Sequence, residues 1–495
     1  MERWRNRELI RAWICCSVAI CGVGLAGLQA REKPSARQRR QDVQDHLCRY
    51  IVLRGHGVGT MSLAEQMAAL HVPAVSVAAI RDGRIDWARA YGVVSLGGPP
   101  ATTKTLFGAA SIAKPLTAVG VLKLVQERKI ELDADVNQYL KRWKIPENAF
   151  TVAKKVTVRE LLNHTSGIGT HNGDIYDPSQ PLPTLLEMLN GVKPARTAPV
   201  RVEAVPGTKF AYSNGGYLVL YLLIEDVTGE PFARYMQHAV LDPMGMKDST
   251  FEAPLPERWA RRAATSYADG TTGTAPGKFV EPNLAAGGLW TTATDLAKFL
   301  TEVQREYEGT SHTVLNRQTV RTMLMADEGR AQARRWGLCV EIGGSPADPY
   351  IRHEGSAYFQ DDMVAYLHGS GIVVMTSGGG GGTLAEEILR SAASVYGFPD
   401  FRPQERTAVG LAAATLPKYV GTYGYVKIAL GQGFLTAEIP AGAPPGRLYA
   451  ESPTQFFVLD GPQELSFHMD GQGQITGVDF ITPMGRHPLQ RSSEK

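Results

Sequence analysis

Two largely apolar runs flank a polar turn with a glycine from residue 75 onward, and this pattern predicts a β-hairpin. Residues 75–80 are the first predicted strand, residues 81–84 with Gly83 form a tight turn, and residues 85–88 return. Apolar residues then recur at every third or fourth position, which is typical of amphipathic helices. The predicted helical segments are residues 116–126, 158–163, 217–227 and 295–303.

Strand-like apolar runs return later in the chain, at residues 336–340, 363–367 and 372–375. Strands at both ends of a region, with helices between them, indicate an α+β domain. We expect its terminal strands to share one antiparallel sheet. The sequence therefore predicts a domain that covers residues 61–398.

The composition changes after residue 398, where two prolines bracket a polar linker over residues 399–415. Short strands separated by glycine turns follow, and they predict an all-β module at residues 416–490, a small closed barrel. Its predicted strands are residues 419–425, 434–439, 455–459, 465–469 and 475–480. Near the other end, residues 31–60 are charged and glutamine-rich without clear periodicity, so we expect a linker or loosely packed arm.

The overall charge gives no reason to expect a nucleic-acid partner. The chain has 495 residues, of which 43% are hydrophobic and 20% are charged, and its net charge is +3. The first 30 residues hold four of the 52 basic and two of the 49 acidic residues, so the rest is close to neutral. A large, nearly neutral chain of this composition indicates a soluble globular protein of two or more domains.

Residues 1–30 have the pattern of an export signal. A basic stretch precedes an apolar run at residues 12–28 that is broken by small residues. Two interpretations remain open: a signal peptide that is cleaved, or an N-terminal anchor that tethers the protein to a membrane. We therefore expect a periplasmic or secreted protein. Bulky Ile20 before Cys21 argues against a lipoprotein.

The cysteines do not form a disulfide framework. Three of the five lie in the export segment, which leaves Cys48 and Cys339, far apart in the chain. We interpret these two as unpaired thiols of minor structural importance. No cysteine–histidine cluster has the spacing of metal ligands, so no metal or cofactor is expected.

Ser111 and Lys114 form the first candidate for catalytic chemistry. Residues three apart on a helix share a face, so the hydroxyl and the amine are neighbours. An amine takes the proton of a serine only if its own pKa is lowered toward neutrality. Pro115 is best tolerated near a helix start, so the helix should begin near Ser111.

Tyr212 and Asn214 are the second candidate. Alternate residues of an extended segment point the same way, so both side chains can face one pocket. A phenol beside an ammonium loses its proton more easily and can act as a general base, whereas Asn214 can hydrogen-bond a substrate amide and Lys114. The alternative for Tyr212 is a buried structural residue in a loop.

A predicted strand at residues 353–356 is the third candidate. The backbone N–H groups of Ser356 and Ser111 can stabilise an oxyanion, and Gly355 leaves room for substrate. His353 can contact the substrate or the Tyr–Lys pair, although a half-exposed strand histidine is the commoner case. Alternation predicts that Glu354 points away from His353.

Two further segments, residues 161–168 and 286–295, are interpreted as structural. Thr294 is expected to cap the helix that follows, with Asp295 favourable in its first turn. Glycines at 287 and 288 suit a close approach of backbone to a cleft.

Taken together, residues 70–395 resemble the serine β-lactamase and penicillin-binding-protein superfamily, specifically the hydrolases related to class C β-lactamases. The segments that carry the resemblance are Ser111-Ile112-Ala113-Lys114, Asn163-His164-Thr165-Ser166-Gly167, Tyr212-Ser213-Asn214, Gly287-Gly288-Leu289 and His353-Glu354-Gly355. The C-terminal module is similar to the lipocalin-like barrels of some members. The resemblance implies an antiparallel sheet flanked by helices and a helical subdomain.

The resemblance also implies roles for individual residues. Ser111 is expected to be the acylated nucleophile, and Lys114 and Tyr212 are expected to share the acid and base work. Asn214, His353, Gly355 and Ser356 are expected to bind the substrate. The implied function is an exported serine hydrolase that acts on small-molecule or peptide substrates: esters or amides, including D-amino-acid peptides.

True β-lactamases of this group usually carry Lys-Thr-Gly where this chain has His353-Glu354-Gly355. A neutral histidine offers no permanent cation to a substrate carboxylate, so β-lactams are disfavoured as substrates. The alternatives are a β-lactamase or acyltransferase that uses the same site, and a non-catalytic scaffold or binding protein. The sequence indicates no particular oligomeric state.

Overall fold

The computed structural model describes residues 34–55, 60–169, 175–325, 335–438, 446–482 and 485–492. The chain divides into two compact units, residues 1–35 and residues 36–495, and all elements below belong to the second. The predicted export signal or anchor at residues 1–30 lies outside the described residues. No helix among the described residues has the length and apolar character that crossing a membrane requires.

Helices and strands are interspersed up to Tyr396, and the elements described after that residue are strands and one short 3₁₀ turn. The α-helices are α1 (Ala36–Asp45), α2 (Leu63–Ala69), α3 (Ala113–Gln126), α4 (Ala149–Ala153), α5 (Val158–Leu162), α6 (Leu185–Asn190), α7 (Asn214–Thr228), α8 (Phe232–Met236), α9 (Glu257–Ala260), α10 (Leu284–Gly287), α11 (Ala293–Glu308), α12 (Arg317–Met323) and α13 (Gly381–Tyr396). Short 3₁₀ turns cover Ala110–Ile112, Val136–Gln138 and Ala413–Tyr419, and a π turn covers Gln237–Leu241.

The strands of the first part are β1 (Ile51–Leu53), β2 (Ala74–Arg81), β3 (Arg84–Gly92), β4 (Phe107–Gly108), β5 (Trp290–Thr291), β6 (Arg335–Trp336), β7 (Glu341–Ser345), β8 (Asp348–Ser356), β9 (Gln360–Tyr366), β10 (Ser370–Thr376) and β11 (Gln404–Arg406). Those of the C-terminal module are β12 (Gly421–Tyr423), β13 (Val426–Leu430), β14 (Leu435–Glu438), β15 (Gly446–Ala450), β16 (Gln455–Phe457), β17 (Glu464–Met469), β18 (Ile475–Thr482) and β19 (Gly485–Gln490).

A seven-stranded antiparallel sheet with the order β3-β2-β10-β9-β8-β7-β6 forms the centre of the first part. The hairpin β2–β3 pairs with the late strand β10, where Ala78 lies opposite Val373. Helix α13 covers one face over a core that includes Val77 and Val364. On the other face, a larger core around Met363 contacts α3, α7 and α11. The predicted α+β architecture, with its terminal strands in one sheet, is confirmed.

The predicted hairpin is confirmed by β2 and β3, and the four predicted helices appear as α3, α5, α7 and α11. The predicted strand at residues 336–340 is wrong. Strand β6 ends at Trp336 and β7 starts at Glu341, because Cys339 between them adopts a left-handed conformation with φ of 77°. The predicted cap of α11 is also wrong: the Thr292 side chain, not Thr294, accepts the Asp295 N–H.

The C-terminal module is an antiparallel barrel of eight strands, β12 to β19 in sequence order. The first and last strands meet, since the Gly424 N–H donates to the Gln490 carbonyl at 3.2 Å. Aromatic and aliphatic side chains fill its interior. The largest of them are Tyr419, Tyr423, Phe456 and Phe467. The predicted barrel is therefore confirmed, although β13, β15 and β19 were not expected from the sequence.

The segment before the sheet is more ordered than a linker. Residues 36–45 form α1, and Val43 and Leu47 are buried in the core beneath α13. Arg39 forms an ion pair with Asp86 of β3, with Nε 2.7 Å from Oδ2. The described part of the expected loosely packed arm, residues 34–55, thus includes a helix and a strand held by buried contacts.

The two segments expected to be linkers pair with each other. Strand β1 lies parallel to β11, with Ile51 opposite Gln404. The Ile51 N–H also donates to the Leu459 carbonyl of the barrel at 2.9 Å. Arg406 forms an ion pair with Glu464 of the barrel. Residues 399–415 therefore include a paired strand that contacts the barrel.

Candidate functional site

Ser111 lies in the 3₁₀ turn Ala110–Ile112, which continues directly into α3. This confirms that the helix begins near Ser111. The preceding residue, Ala110, has a φ of 43°, a left-handed conformation that is strained for a residue with a side chain. The Ala109 N–H donates to the Leu289 carbonyl at 2.8 Å, which fixes the turn against the strand that follows α10. The backbone therefore holds Ser111 in one defined position.

Lys114 is completely buried and its amine lies beside the Ser111 hydroxyl. Nζ is 3.0 Å from Ser111 Oγ and 3.0 Å from the carbonyl oxygen of Ala286. Burial lowers the pKa of Lys114 to about 8, although the Glu281 carboxylate acts in the opposite direction. A large fraction of this amine is therefore neutral near physiological pH and can accept the Ser111 proton.

Tyr212 lies near the nucleophile, and the Ser111 hydroxyl acts to lower the pKa of its phenol. Its ring centroid lies 4.9 Å from Lys114 Nζ. Burial nevertheless raises the pKa of Tyr212 well above its ordinary value. Burial therefore acts against the acidity that we expected for this phenol, and a base role for Tyr212 stays a prediction. In the free protein Lys114 is the stronger candidate for the base.

The segment at residues 161–168 holds Tyr212 in place. The His164 carbonyl accepts the Ala211 N–H at 2.8 Å, and His164 Nδ1 accepts the Ser213 N–H at 3.2 Å. The imidazole lies against the phenol ring with centroids 4.3 Å apart. Burial lowers the pKa of His164 well below its ordinary value, so the imidazole is neutral and can accept at Nδ1.

Asn214 is the first residue of α7, and its side chain lines the cavity beside Ser111. Its Oδ1 is buried and has no hydrogen-bond partner among the described residues. The backbone carbonyl of Asn214 accepts from Asn283 Nδ2 at 3.0 Å, which fixes the start of the helix. The amide oxygen is thus available to a donor on a bound substrate.

Gly355 allows β8 to approach the nucleophile. A Cβ atom at this position would lie 2.4 Å from the Ala109 carbonyl oxygen, so no side chain fits. The expected role of leaving room for substrate is therefore wrong, since the free space is filled by the backbone before Ser111. The neighbouring residue Ser356 is exposed and lines the cavity opposite Ser111, as an oxyanion site requires.

His353 is buried and does not line the described cavity. Its Nδ1 lies 2.8 Å from the Glu354 carbonyl oxygen, and Nε2 has no partner among the described residues. Its ring packs 5.8 Å from Trp336 and 6.4 Å from Tyr212. Burial lowers its pKa to about 3, so the ring is neutral. The ring thus lies beside Tyr212, in line with the expected contact with the Tyr–Lys pair, and its contact with substrate stays a prediction.

Glu354 points away from the site, as alternation predicted. Its carboxylate lies 2.9 Å from Nη2 of Arg352 on the opposite face of the sheet. The same buried guanidinium pairs with Asp362 at 2.7 Å and with Glu386. These three carboxylates are close enough together to hold a metal ion, but Arg352 already lies among them.

Several groups at the site were not expected from the sequence. Cys339 was interpreted as minor, yet its thiol is buried against Tyr217 and close to Lys114, and burial raises its pKa to about 12. Trp336 packs against both His164 and His353. Only the φ of Cys339 marks this loop as unusual, and that angle is not encoded in a spacing pattern.

The cavity beside Ser111 has a volume of about 240 Å³. Its walls carry four aromatic rings, and its charged side chains in the described part of the chain are Lys114 and Glu281. The rings belong to Phe279, Trp290, Tyr358 and Phe359. A cavity of this size suits a small substrate group rather than a long chain.

An antiparallel sheet flanked by helices, with a serine, a buried lysine and a tyrosine close together at one edge, is the arrangement typical of serine hydrolases that form acyl-enzymes. The family model described as Beta-lactamase matches residues 62–396. The chain therefore belongs to the β-lactamase family.

Three relatives show how far the similarity extends. Esterase EstB of Burkholderia gladioli is 34% identical over 203 residues, 38% of this chain and 49% of its own length. Teichoic acid D-alanine hydrolase of Staphylococcus aureus is 28% identical over 236 residues, 46% of this chain and 54% of its own length. The chain thus spans about half the length of the curated relatives it matches.

The third relative is a solved structure, the octameric penicillin-binding protein homologue from Pyrococcus abyssi. It superimposes with a TM-score of 0.59 at 21% identity, covering 86% of this chain and 98% of its own. At this identity the likeness establishes the shared fold.

Proposed function

We propose that the protein is an exported serine hydrolase that cleaves esters or amides, including D-aminoacyl substrates, through an acyl-enzyme on Ser111. The observation that carries the proposal is the 3.0 Å contact between Ser111 Oγ and the buried amine of Lys114. An esterase and a D-alanine hydrolase among the relatives support the choice of substrate class.

The geometry supports the following sequence of steps. Ser111 Oγ attacks the substrate carbonyl carbon while its proton moves to the neutral Nζ of Lys114. The N–H groups of Ser111 and Ser356 stabilise the oxyanion of the tetrahedral intermediate. As the carbonyl re-forms, the bond to the leaving group breaks and that group takes the proton from Lys114, either directly or through the phenol of Tyr212, which Lys114 then reprotonates, so that the amine is neutral again. Water then cleaves the acyl-enzyme with Lys114 again as base.

The charges of the cavity disfavour β-lactams. A β-lactam carboxylate would face Glu281, and His353 is buried and neutral. Nitrocefin turnover should therefore be at least about a hundredfold below turnover of a simple ester, the scale of an unfavourable buried charge contact. An equal or faster rate with nitrocefin would reassign the protein as a β-lactamase.

A fluorophosphonate probe tests the nucleophile. Intact protein should gain one adduct, and mass spectrometry of peptides should place it on Ser111. The Ser111→Ala variant should show no adduct and no ester turnover, whereas Ser356→Ala should keep both, because only its backbone N–H is used. An unlabelled wild-type protein that turns over no ester, amide or lactam would show that the proposal is wrong.

Export and a membrane tether are proposed from residues 1–30 alone, where basic residues precede an apolar run. Fractionation of cells that express the full chain should recover the protein outside the cytoplasm, and replacement of the apolar run by a polar one should retain it inside. Recovery of the intact chain in the cytoplasm would contradict this part of the proposal.

A further inference from the structure

The cavity beside Ser111 has an unusual combination of walls for a site that handles simple acyl groups. Phe279 stacks on Tyr358 with ring centroids 4.4 Å apart and lies 5.6 Å from the ring of Trp290. The ring of Phe359 lies 5.6 Å from that of Trp290, which completes an aromatic wall. The faces of such rings attract cations as well as apolar groups.

A carboxylate lies in the same cavity, on the segment that carries Phe279. Glu281 Oε1 accepts the Asn283 N–H at 3.2 Å. Its side chain runs over Gly287, where a Cβ would meet Glu281 Cγ at 3.1 Å. Glycine at 287 therefore permits the carboxylate to lie along the cavity wall.

This carboxylate opposes the base function of the site. Because a negative charge favours the ammonium form of a nearby amine, Glu281 acts against the neutral form of Lys114 that catalysis needs. The carboxylate that weakens the base also lines the substrate cavity, where a bound substrate can contact it.

We propose that Glu281 and the aromatic wall form a binding site for an ammonium group of the substrate, quaternary ammonium included. The preferred substrates are then esters or amides that carry a fixed or protonated amine near the scissile carbonyl. This inference rests on the proposed function, because it concerns the specificity of the same acyl-enzyme reaction. Carboxylates and aromatic rings together are the groups that recognise such cations in proteins.

The test compares two thioesters of nearly equal shape. Acetylthiocholine carries a trimethylammonium group, and S-(3,3-dimethylbutyl) thioacetate has a neutral carbon in place of the nitrogen. The wild-type protein should prefer the cation by about tenfold in kcat/KM, the scale of one partly desolvated charge contact. In Glu281→Gln the ratio should fall to within about twofold of unity. The ratio is the readout because any effect on Lys114 acts equally on both substrates.

Two controls separate the site from general effects of charge. Glu257, an exposed residue of α9 that pairs with Arg261, lies outside the cavity, so Glu257→Gln should keep the wild-type ratio. In the wild-type protein, tetramethylammonium should inhibit hydrolysis of the neutral thioester competitively, whereas sodium at equal ionic strength should not. This second comparison needs no variant and holds even if Glu281→Gln folds poorly.

The rate of Ser111 labelling by a trimethylammonium fluorophosphonate and by its tert-butyl analogue gives the same comparison without turnover. A wild-type ratio near unity, or an unchanged ratio in Glu281→Gln, would overturn this inference while Ser111 labelling still supports the proposed function. Absence of labelling by both probes, together with absence of ester turnover, would overturn both.

Discussion

The burial of Lys114 makes a definite prediction about the pH dependence of acylation. The neutral amine accepts the Ser111 proton, and burial disfavours the ammonium form, so the pKa lies at about 8 rather than at the ordinary 10.5. The base is therefore lost as the pH falls below this value and gained as the pH rises through it. For a neutral ester, kcat/KM should rise with pH through a midpoint of about 8 and level off above it.

The size of the effect follows from the two pKa values. At pH 7.5 a pKa of about 8 leaves roughly a quarter of the amine neutral, whereas the ordinary value of 10.5 would leave about 0.1%. Burial thus increases the concentration of base about 240-fold at this pH. This gain is comparable to the contribution of a general base to catalysis, about a hundredfold or more.

The assay is hydrolysis of 4-methylumbelliferyl butyrate between pH 5.5 and 9.5, corrected for spontaneous cleavage. Lys114→Met should lower kcat/KM by about 10²–10⁴ and remove the rise near pH 8, since the general base is gone. Tyr212→Phe should lower the rate yet keep the rise, because the phenol is protonated throughout this range. A wild-type midpoint near 10, or loss of the rise in Tyr212→Phe but not in Lys114→Met, would refute the assignment of the base.

Three further predictions concern stability. Gly355→Ala should abolish ester turnover and lower the melting temperature, because its Cβ would lie 2.4 Å from the Ala109 carbonyl oxygen. The control Gly382→Ala, whose Cβ would have its nearest neighbour at 3.8 Å, should melt at or above the wild-type temperature. Cys339→Val should cost about 1–2 kcal/mol of unfolding free energy, because the φ of 77° at this position is strained for a β-branched residue. Cys339→Gly should lower the unfolding free energy clearly less. Equal urea midpoints for the two variants would contradict this reasoning. Arg352→Met should cost about 3–5 kcal/mol in urea unfolding, since it leaves the buried carboxylate of Asp362 unpaired, and a loss below 1 kcal/mol would show that this group neutralises instead.

Elements that carry their own periodicity were predictable from the sequence. The hairpin β2–β3 has two largely apolar runs around a glycine turn, and α11 repeats its apolar residues with helical spacing, so neither depends on distant contacts to be recognised. Residues 336–340 mislead because a run of apolar residues is common to strands and to buried loops. Helix α1 was missed because its stability depends on Arg39, whose partner Asp86 lies 47 residues further along the chain.

At the site, too, contacts between residues close in sequence were predictable, whereas properties that depend on distant contacts were not. Ser111 and Lys114 lie within one helical turn, so their contact follows from spacing alone. The neutral state of His353 and the weak acidity of Tyr212 depend instead on how much water the fold excludes around them. Trp336, which packs on both rings, belongs to the two-residue strand β6, which is too short to carry a periodic pattern. Such properties follow only from the assembled structure.

The parallel pairing of β1 with β11 has a consequence for how the chain folds. It joins Ile51 to Gln404, about 350 positions apart, and such non-local contacts slow folding because the intervening loop must close first. Strand β2 likewise cannot pair with β10 until Val373 and its neighbours have been synthesised. Both early strands therefore have an unpaired edge until synthesis reaches the last quarter of the chain. Over that interval the nascent protein has exposed strand edges that can associate with other chains.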